Sequence, residues 1–289
     1  MRLGIVMTGT GALAAACIGA MQELEKRGIE PFAVCGMQSG AWPAALWISG
    51  QDADSMQKAM QQTAHMGSRI LKPAYAISAI LRKKRCALVD SGRIEHLLIN
   101  QTGKRLLCVC KRPGFFLCRT AQTGRRVIFS SKAFAQEGQA LLSTQASVSF
   151  AARAAMTPPP FLEPLCWMGS CLIAENDVNE AGRQLLAMGA QRVLVIAPVP
   201  SRRHIPDALD LVGMADGAAM SAAGMPEMVT LDIEAPDVIG ALSVDQLPAI
   251  VEAGRMVAAA KLDEAFEKLG MAPCRILPFK RPYIQTGTT

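Results

Sequence analysis

The stretch that decides the fold is residues 3–50, LGIVMTGTGALAAACIGAMQELEKRGIEPFAVCGMQSGAWPAALWISG. A short apolar run at residues 3–7 predicts a buried strand, and the turn TGTG follows it at residues 8–11. A helical pattern then continues to Arg27 and ends at Gly28, a residue type that is common just past a helix end. The stretch therefore begins as a strand, a glycine-bearing turn and a helix.

The second half of the stretch repeats this order with a tighter turn. Residues 31–35 form another apolar run, the sequence GMQSG turns the chain at residues 36–40, and residues 41–47 are again helical. A strand, a tight Gly-x-x-x-Gly turn and a helix are typical of a nucleophile elbow, in which a strained turn projects one side chain above the sheet. That side chain is normally a serine, and here it is Gln38.

These elements resemble the bacterial patatin-like phospholipases, whose first strand leads into a glycine-rich oxyanion loop and whose second strand carries a Gly-x-Ser-x-Gly elbow. The residues that carry the resemblance are Gly9, Gly11, Gly19, Gly36, Gly40 and the later segment 190–198. The resemblance implies a single α/β domain with a mainly parallel sheet sandwiched by helices, over residues 1–272. It also implies a lipid acyl hydrolase, either a phospholipase or an esterase. Residues 273–289 are expected to form a C-terminal extension.

The catalytic motifs of that family are altered in this chain. The oxyanion and binding loop becomes Gly9, Thr10, Gly11 and Ala12, and Leu13 stands where the family has an arginine. The resemblance places the family's second catalytic residue, the aspartate of an Asp-Gly-Gly motif, at Ile173 or Ala174, and neither is an acid. A hydrolytic dyad needs a hydroxyl at the elbow, a carboxylate within hydrogen-bond reach and N–H donors facing the oxyanion.

Two functional hypotheses follow from these departures. In the first, the protein is catalytically degenerate, because the Gln38 amide cannot act as a nucleophile, and it binds a lipid or a partner in the former active-site cleft. In the second, a register shift restores an active serine acyl hydrolase, with Ser39 as the nucleophile and Glu175 or Asp177 as its carboxylate. A serine in the first turn of a helix is ordinarily a capping residue, which favours the first hypothesis.

The rest of the chain predicts alternating helices and strands. Helices are expected over residues 52–71, from residue 90 onward, and over 143–155, 179–187 and 245–269; strands are expected over 105–111, 115–120, 125–131, 192–198 and 228–234, with a strand pair in 163–174. The fully apolar run at residues 192–198 is typical of a strand with helices on both sheet faces. Helix followed by buried strand completes a right-handed parallel crossover.

Composition sets broad limits on function. The chain has 289 residues, 51% of them hydrophobic, and a formal net charge of +6. The basic residues occur in short clusters, which indicates at most contact with an anionic surface such as membrane head groups, and no nucleic-acid partner is expected. The apolar N-terminal run is consistent with a signal peptide as well as with a first strand, and the glycine turn favours the strand.

Nine cysteines in a chain of this length favour free thiols and a reducing cytoplasm over a disulfide framework. Cys108 and Cys110 lie in the apolar run predicted as a buried strand, where a metal site with Cys118 is conceivable. No histidine or Cys-x-x-Cys motif accompanies them, so we predict small buried hydrophobic residues, no metal and no cofactor.

Overall fold

The computed structural model describes residues 1–70, 91–135, 140–156, 162–201, 225–234, 236 and 244–271. In these residues the strands are β1 (Leu3–Met7), β2 (Ala33–Gly36), β3 (Gly114–Thr120), β4 (Arg126–Ser130), β5 (Leu141–Ser143), β6 (Leu165–Trp167), β7 (Ser170–Ala174), β8 (Arg192–Val199) and β9 (Met228–Glu234). The α-helices are α1 (Ala16–Lys26), α2 (Ala41–Ile48), α3 (Ala53–Ile70), α4 (Ser91–Thr102), α5 (Val148–Ala155), α6 (Val178–Met188) and α7 (Leu247–Lys268).

The strands form one mainly parallel sheet with β1 near its centre. Its order is β5-β4-β3-β2-β1-β8-β9, and the pairs from β3 through β2, β1 and β8 to β9 are all parallel. The antiparallel part is confined to β4, which pairs with β3, and to the β6–β7 hairpin, whose second strand also pairs with β3. The strand β1 pairs on both edges and is covered on both faces of the sheet, and all five of its residues are buried.

The two faces of the sheet contribute to two separate apolar cores. Ile5 and Met7 of β1 pack in the larger core, which includes α1, α2, α5 and α7. Val6 points to the opposite face, where it packs in a smaller core with α6. This alternation follows from the period of two along a strand. The described residues therefore form an α/β sandwich with helices on both faces, as the sequence predicted.

Most of the predicted elements are present, and one is wrong. Residues 105–111, predicted as a buried strand, contain instead a short 3-10 helix, Leu107–Val109. The apolar residues at this position suggested a buried strand, but only Leu107 in this turn is buried. The predicted helix over 143–155 begins later, at Val148, where the Ser147 side chain caps it by accepting from the Phe150 N–H.

None of the described helices combines the length and apolar character needed to cross a membrane. The predicted extension at residues 273–289 lies outside the described residues, as do the basic clusters at 82–85 and 202–203.

Candidate functional site

The turns that follow β1 and β2 meet at the carboxyl edge of the sheet, because these strands are parallel neighbours. Backbone hydrogen bonds join the two turns: the Met37 N–H donates to the Met7 carbonyl at 3.0 Å, and the Ser39 N–H donates to the Gly9 carbonyl at 3.1 Å. Gly9 and Gly11 both have positive φ, which glycine adopts readily because it has no Cβ. Ligands of open α/β sheets bind at this edge.

The turn after β2 has the strained geometry of a nucleophile elbow. Gln38 at its apex has a φ of 47°, a value that a residue with a side chain rarely adopts. The turn also approaches the end of β1 very closely, since a Cβ added at Gly40 would lie 2.3 Å from the Met7 carbonyl oxygen. The backbone that would present a nucleophile is therefore in place, with a glutamine at its apex.

The Gln38 side chain is buried and hydrogen-bonded through both ends of its amide. Its Nε2 donates to Oδ1 of Asn176 at 2.8 Å. Its Oε1 accepts from the Thr8 hydroxyl at 3.3 Å. An amide that both donates and accepts in this way is fixed in orientation. The apex residue is thus joined to the segment after β7 by a neutral amide–amide hydrogen bond.

Asn176 reaches the elbow because β7 and β2 share one edge of β3. The last residues of β2 pair with the first half of β3, where Gly36 lies opposite Phe116. β7 pairs antiparallel with the second half, where Ala174 lies opposite Cys118. β7 therefore runs toward the end of β2, and the residues that follow Ala174 arrive beside the elbow.

This arrangement corrects the expected position of the acid partner. Counting along the sequence placed it at Ile173 or Ala174, but both residues lie within β7 and pair with β3. The residue that meets the apex is Asn176, which the sequence did not indicate as a site residue. Its one sequence signal is its position just before Asp177, the residue that caps α6 by accepting from the Glu180 N–H.

The Ser39 hydroxyl, the nucleophile of the alternative hypothesis, accepts a hydrogen bond from the Gly11 N–H at 2.9 Å. Ser39 is half-buried and lies in the short 3-10 helix Gln38–Gly40 that precedes α2. The contact joins the elbow to the predicted oxyanion loop. It also occupies the N–H group of Gly11, one of the four residues of that predicted loop.

The two candidate carboxylates are held by other groups. Oε1 of Glu175 accepts from the N–H groups of Asn176 at 2.8 Å and Asp177 at 3.2 Å, and its Oε2 lies 3.4 Å from Nε of Arg126. Asp177 caps α6, and its Oδ2 lies 3.1 Å from Arg126 and 3.5 Å from Arg183. Both carboxylates therefore belong to an ion-pair network beside the elbow.

Glu180 is the third carboxylate of this network. Burial by itself would raise the pKa of Glu180, but hydrogen bonds from Gln184 and Arg183, with the charges of Arg126 and Arg183, hold that pKa below its usual value. Oε2 of Glu180 lies 2.7 Å from Arg183 and 3.6 Å from Arg126. The network thus keeps negative charge paired just outside the elbow.

The cysteines show no arrangement for a metal among the described residues, which contain no group of three or more His, Cys, Asp or Glu suited to a metal ion. Cys108 is exposed and Cys110 half-buried, so the prediction of two buried thiols on one strand is wrong. Cys17 in helix α1 is buried, and burial raises the pKa of its thiol to about 12. Such a thiol is a packing residue and not a nucleophile.

No protein-family model matches the chain. Two proteins similar in sequence, from Mycobacterium bovis and Mycobacterium tuberculosis, are both described as uncharacterized NTE family proteins. Each is 26% identical over 292 positions, which cover 90% of this chain and 46% of the relative. The chain thus spans about half the length of the curated relatives it matches.

Among solved structures, VipD from Legionella pneumophila superposes with a TM-score of 0.52 and 11% identity, over 91% of this chain and 67% of VipD. A complex of human GIVD cytosolic phospholipase A2 with methyl gamma-linolenyl fluorophosphonate superposes less closely, with a TM-score of 0.45 and 12% identity, over 93% of this chain and 59% of that one. The chain therefore has relatives in the NTE family, which is patatin-like, and shares its α/β fold with VipD.

Proposed function

We propose that this protein is a catalytically degenerate relative of the patatin-like lipid acyl hydrolases, which binds a lipid or acyl-ester ligand in the former active-site cleft. The observation that carries the proposal is the hydrogen bond between Gln38 and Asn176. It joins the elbow apex to the segment after β7, where the family's serine and aspartate would form the dyad. Two neutral amides take the place of a hydroxyl and a carboxylate.

The chemistry of these amides argues against acyl transfer. An amide nitrogen is neither basic nor nucleophilic at neutral pH, and Asn176 has no charge with which to take a proton. The oxyanion loop is also partly satisfied from within, since Gly11 donates its N–H to Ser39. A substrate oxyanion would have to displace that hydroxyl before it gained the stabilisation that preorganised donors provide.

The ligand class rests on the retained backbone and on the relatives. The strained apex and its close approach to β1 persist without the nucleophile, which favours a cleft that still has a role. Lipid or acyl-ester binding is carried over from the patatin-like resemblance. Contact with a membrane surface and residence in a reducing cytoplasm are parts of the same proposal, the latter because the described cysteines carry free thiols.

The test of degeneracy is to rebuild the dyad. Wild-type protein, Gln38→Ser, and the double variant Gln38→Ser/Asn176→Asp are assayed with a short-chain nitrophenyl ester and with a phospholipid. We expect a silent wild type, and measurable hydrolysis only when serine and aspartate are both present, because proton transfer to a positioned carboxylate is worth about 10²–10⁴-fold. A hydrolytically active wild type would contradict the proposal.

The variant Ser39→Ala tests the alternative hypothesis. If the wild type is active and Ser39→Ala is not, the shifted dyad of Ser39 with Glu175 or Asp177 is the correct description. A fluorophosphonate probe gives an independent readout, because it reacts covalently with an activated serine and releases fluoride. We expect no adduct on wild-type Ser39 by mass spectrometry, and an adduct on the new serine of the double variant.

Ligand binding is tested separately from catalysis. A fluorescent fatty acid is titrated into the wild type and into Thr10→Trp, which enlarges a half-buried residue of the binding loop. We expect saturable binding to the wild type that weakens at least tenfold in Thr10→Trp. The matched control is Glu30→Trp, an exposed residue at the opposite end of β2, which should bind like the wild type. Equal affinities of the two variants would place the ligand elsewhere.

A further inference from the structure

Two cysteines face each other across the β6–β7 hairpin. Cys166 lies directly opposite Cys171 in the antiparallel register. The hairpin closes through Met168 and Gly169, which have φ values of 48° and 78°. Two consecutive left-handed residues are the signature of a tight type I′ turn, whose twist matches that of the paired strands. The register of the two cysteines is therefore fixed by a turn only two residues long.

The backbone of Cys171 shows that the two cysteines form a non-hydrogen-bonded pair. Its N–H donates to the Gln122 side chain at 3.1 Å, and its carbonyl accepts from the Ala121 N–H at 2.7 Å. Both groups thus point away from β6. Side chains approach most closely across such pairs, with Cα atoms roughly 4.5 Å apart. That separation falls within the range of about 4.4–6.8 Å that a disulfide spans.

The two thiols lie on the same face of the hairpin, and both are accessible. Cys166 is exposed and Cys171 half-buried, in contrast to Cys17, Cys35 and Cys118, which are buried. The neighbouring Cys171 thiol raises the pKa of Cys166 above its usual value. Thiols that lie directly opposite each other on one face of a hairpin need no backbone rearrangement to join, and exposure leaves the bond open to reduction again.

We propose that Cys166 and Cys171 form a reversible intramolecular disulfide by exchange with a low-molecular-weight disulfide such as oxidised glutathione. This site is separate from the elbow, and it does not depend on the function proposed above. Exposed cross-strand disulfides have the higher reduction potentials typical of labile, regulatory bonds. The pair would therefore respond to the thiol–disulfide balance of a reducing compartment.

The exchange balances in two steps. The exposed Cys166, as its thiolate, attacks one sulfur of oxidised glutathione, which forms a mixed disulfide and expels one glutathione thiolate. Cys171 then attacks Sγ of Cys166 as its thiolate and expels the second glutathione. The two thiol protons pass to the two released thiolates. Two electrons move from the protein to glutathione, and no other reactant is needed.

The crosslink would restrain the strand that delivers Asn176 to the elbow. β7 ends at Ala174, two residues before Asn176. Trp167 lies between the cysteines and the turn, and its ring packs edge-on against Phe129 with centroids 5.2 Å apart. A disulfide between the two cysteines would thus restrict the motion of the β6–β7 hairpin on one side of the candidate site.

The chain offers a convenient test in its tryptic peptides. Cleavage after Arg153 and Arg183 releases residues 154–183, which contain Cys166 and Cys171 and no other cysteine. The full-length protein is equilibrated in glutathione buffers of increasing oxidised fraction and quenched with N-ethylmaleimide. It is then digested with trypsin, and the peptide masses are measured by mass spectrometry. We expect this peptide to pass from two maleimide groups to none, with a loss of two hydrogens, and to recover both groups after treatment with dithiothreitol.

An internal control lies in the same digest. Residues 106–111 contain Cys108 and Cys110, which are accessible but lie two residues apart around the 3-10 turn and not across a hairpin. We expect this peptide to keep both maleimide groups at oxidised fractions that convert residues 154–183. Cys171→Ser should trap one glutathione on Cys166, since the resolving thiol is gone.

Two results would overturn the proposal. The first is that residues 154–183 keep both maleimide groups, or gain two glutathiones, at every oxidised fraction. The second is that residues 106–111 oxidise in parallel with them, which would indicate general thiol oxidation without a preferred pair.

Discussion

The two segments that form the candidate site are held in place by different forces. The elbow after β2 is fixed by close backbone packing, since Gly40 lies against the end of β1 without room for a side chain. The segment after β7 is fixed by side-chain charge, since Arg126 contacts Glu175, Asp177 and Glu180. Backbone packing does not depend on which side chain stands at the apex, whereas the charge network depends on the charged side chains that form it. A glutamine can therefore occupy the apex while the turn persists.

The largest effect should come from breaking the backbone contact of the elbow. In Gly40→Ala the new Cβ would lie 2.3 Å from the Met7 carbonyl oxygen, and neither backbone can move without disturbing the sheet. We expect the free energy of unfolding to fall by about 3 kcal/mol or more, as overpacking at a rigid site does. Guanidinium denaturation followed by circular dichroism measures this loss.

The control for that variant is Gly28→Ala. Gly28 has a positive φ, of 70°, whereas Gly40 has a φ of −62°, and a Cβ at Gly28 meets no atom within 4 Å. It should lose only the cost of the left-handed backbone, about 1 kcal/mol. Equal losses in the two variants would show that the elbow accommodates a Cβ at residue 40 and that this contact does not fix the turn.

A smaller effect should follow from breaking the charge network. Arg126→Ala leaves Glu175 and Glu180, both largely buried, with fewer cationic partners. Loss of a fully buried partner costs several kcal/mol, but Arg126 is 39% exposed and Arg183 remains beside Asp177 and Glu180, so we expect about 1–2 kcal/mol. The matched control is Arg255→Ala, whose partner Glu252 is exposed, and which should unfold like the wild type.

The stability of Arg126→Ala should also depend on pH in a different way from that of the wild type. The folded-state pKa of Glu180 is depressed, so its ionised form stabilises the fold above the usual value of 4.5, and this contribution is lost as the pH falls through the folded-state pKa. Arg126 is one of the charges that depress it. The stability gap between wild type and Arg126→Ala should therefore narrow as the pH is lowered from 7 into that range. A gap that stays constant with pH would mean that the arginine acts through packing alone.

The smallest effect concerns the apex. Gln38→Ala and Gln38→Gly both remove the amide hydrogen bonds, but only glycine relieves the φ of 47°. We expect the glycine variant to be more stable than the alanine variant by about 1 kcal/mol. If the alanine variant unfolds with the same free energy as the glycine variant, the result would argue against a left-handed backbone at this residue. Both variants are compared by the same guanidinium denaturation.

The sequence was a good guide where a pattern is local. The strand, turn and helix order of residues 3–50 predicted β1, α1, β2 and α2, and the residues at the turns predicted the elbow. It failed at residues 105–111, where apolar letters with no clear alternation were assigned to a strand and form a 3-10 turn. A short apolar run does not by itself distinguish a strand from another buried segment.

The sequence by itself determined the parallel α/β architecture, the glycine-bearing turn of the first loop and the absence of a serine at the apex, because each depends on residue type and near neighbours. Only the tertiary structure decided that Asn176 faces Gln38, that the Ser39 hydroxyl is bonded to Gly11, and that Cys166 faces Cys171. The first of these depends on β7 sharing an edge of β3 with β2, a pairing between residues far apart in the chain. Sequence spacing does not encode such a register, and so counting along the chain placed the partner of the apex two or three residues too early.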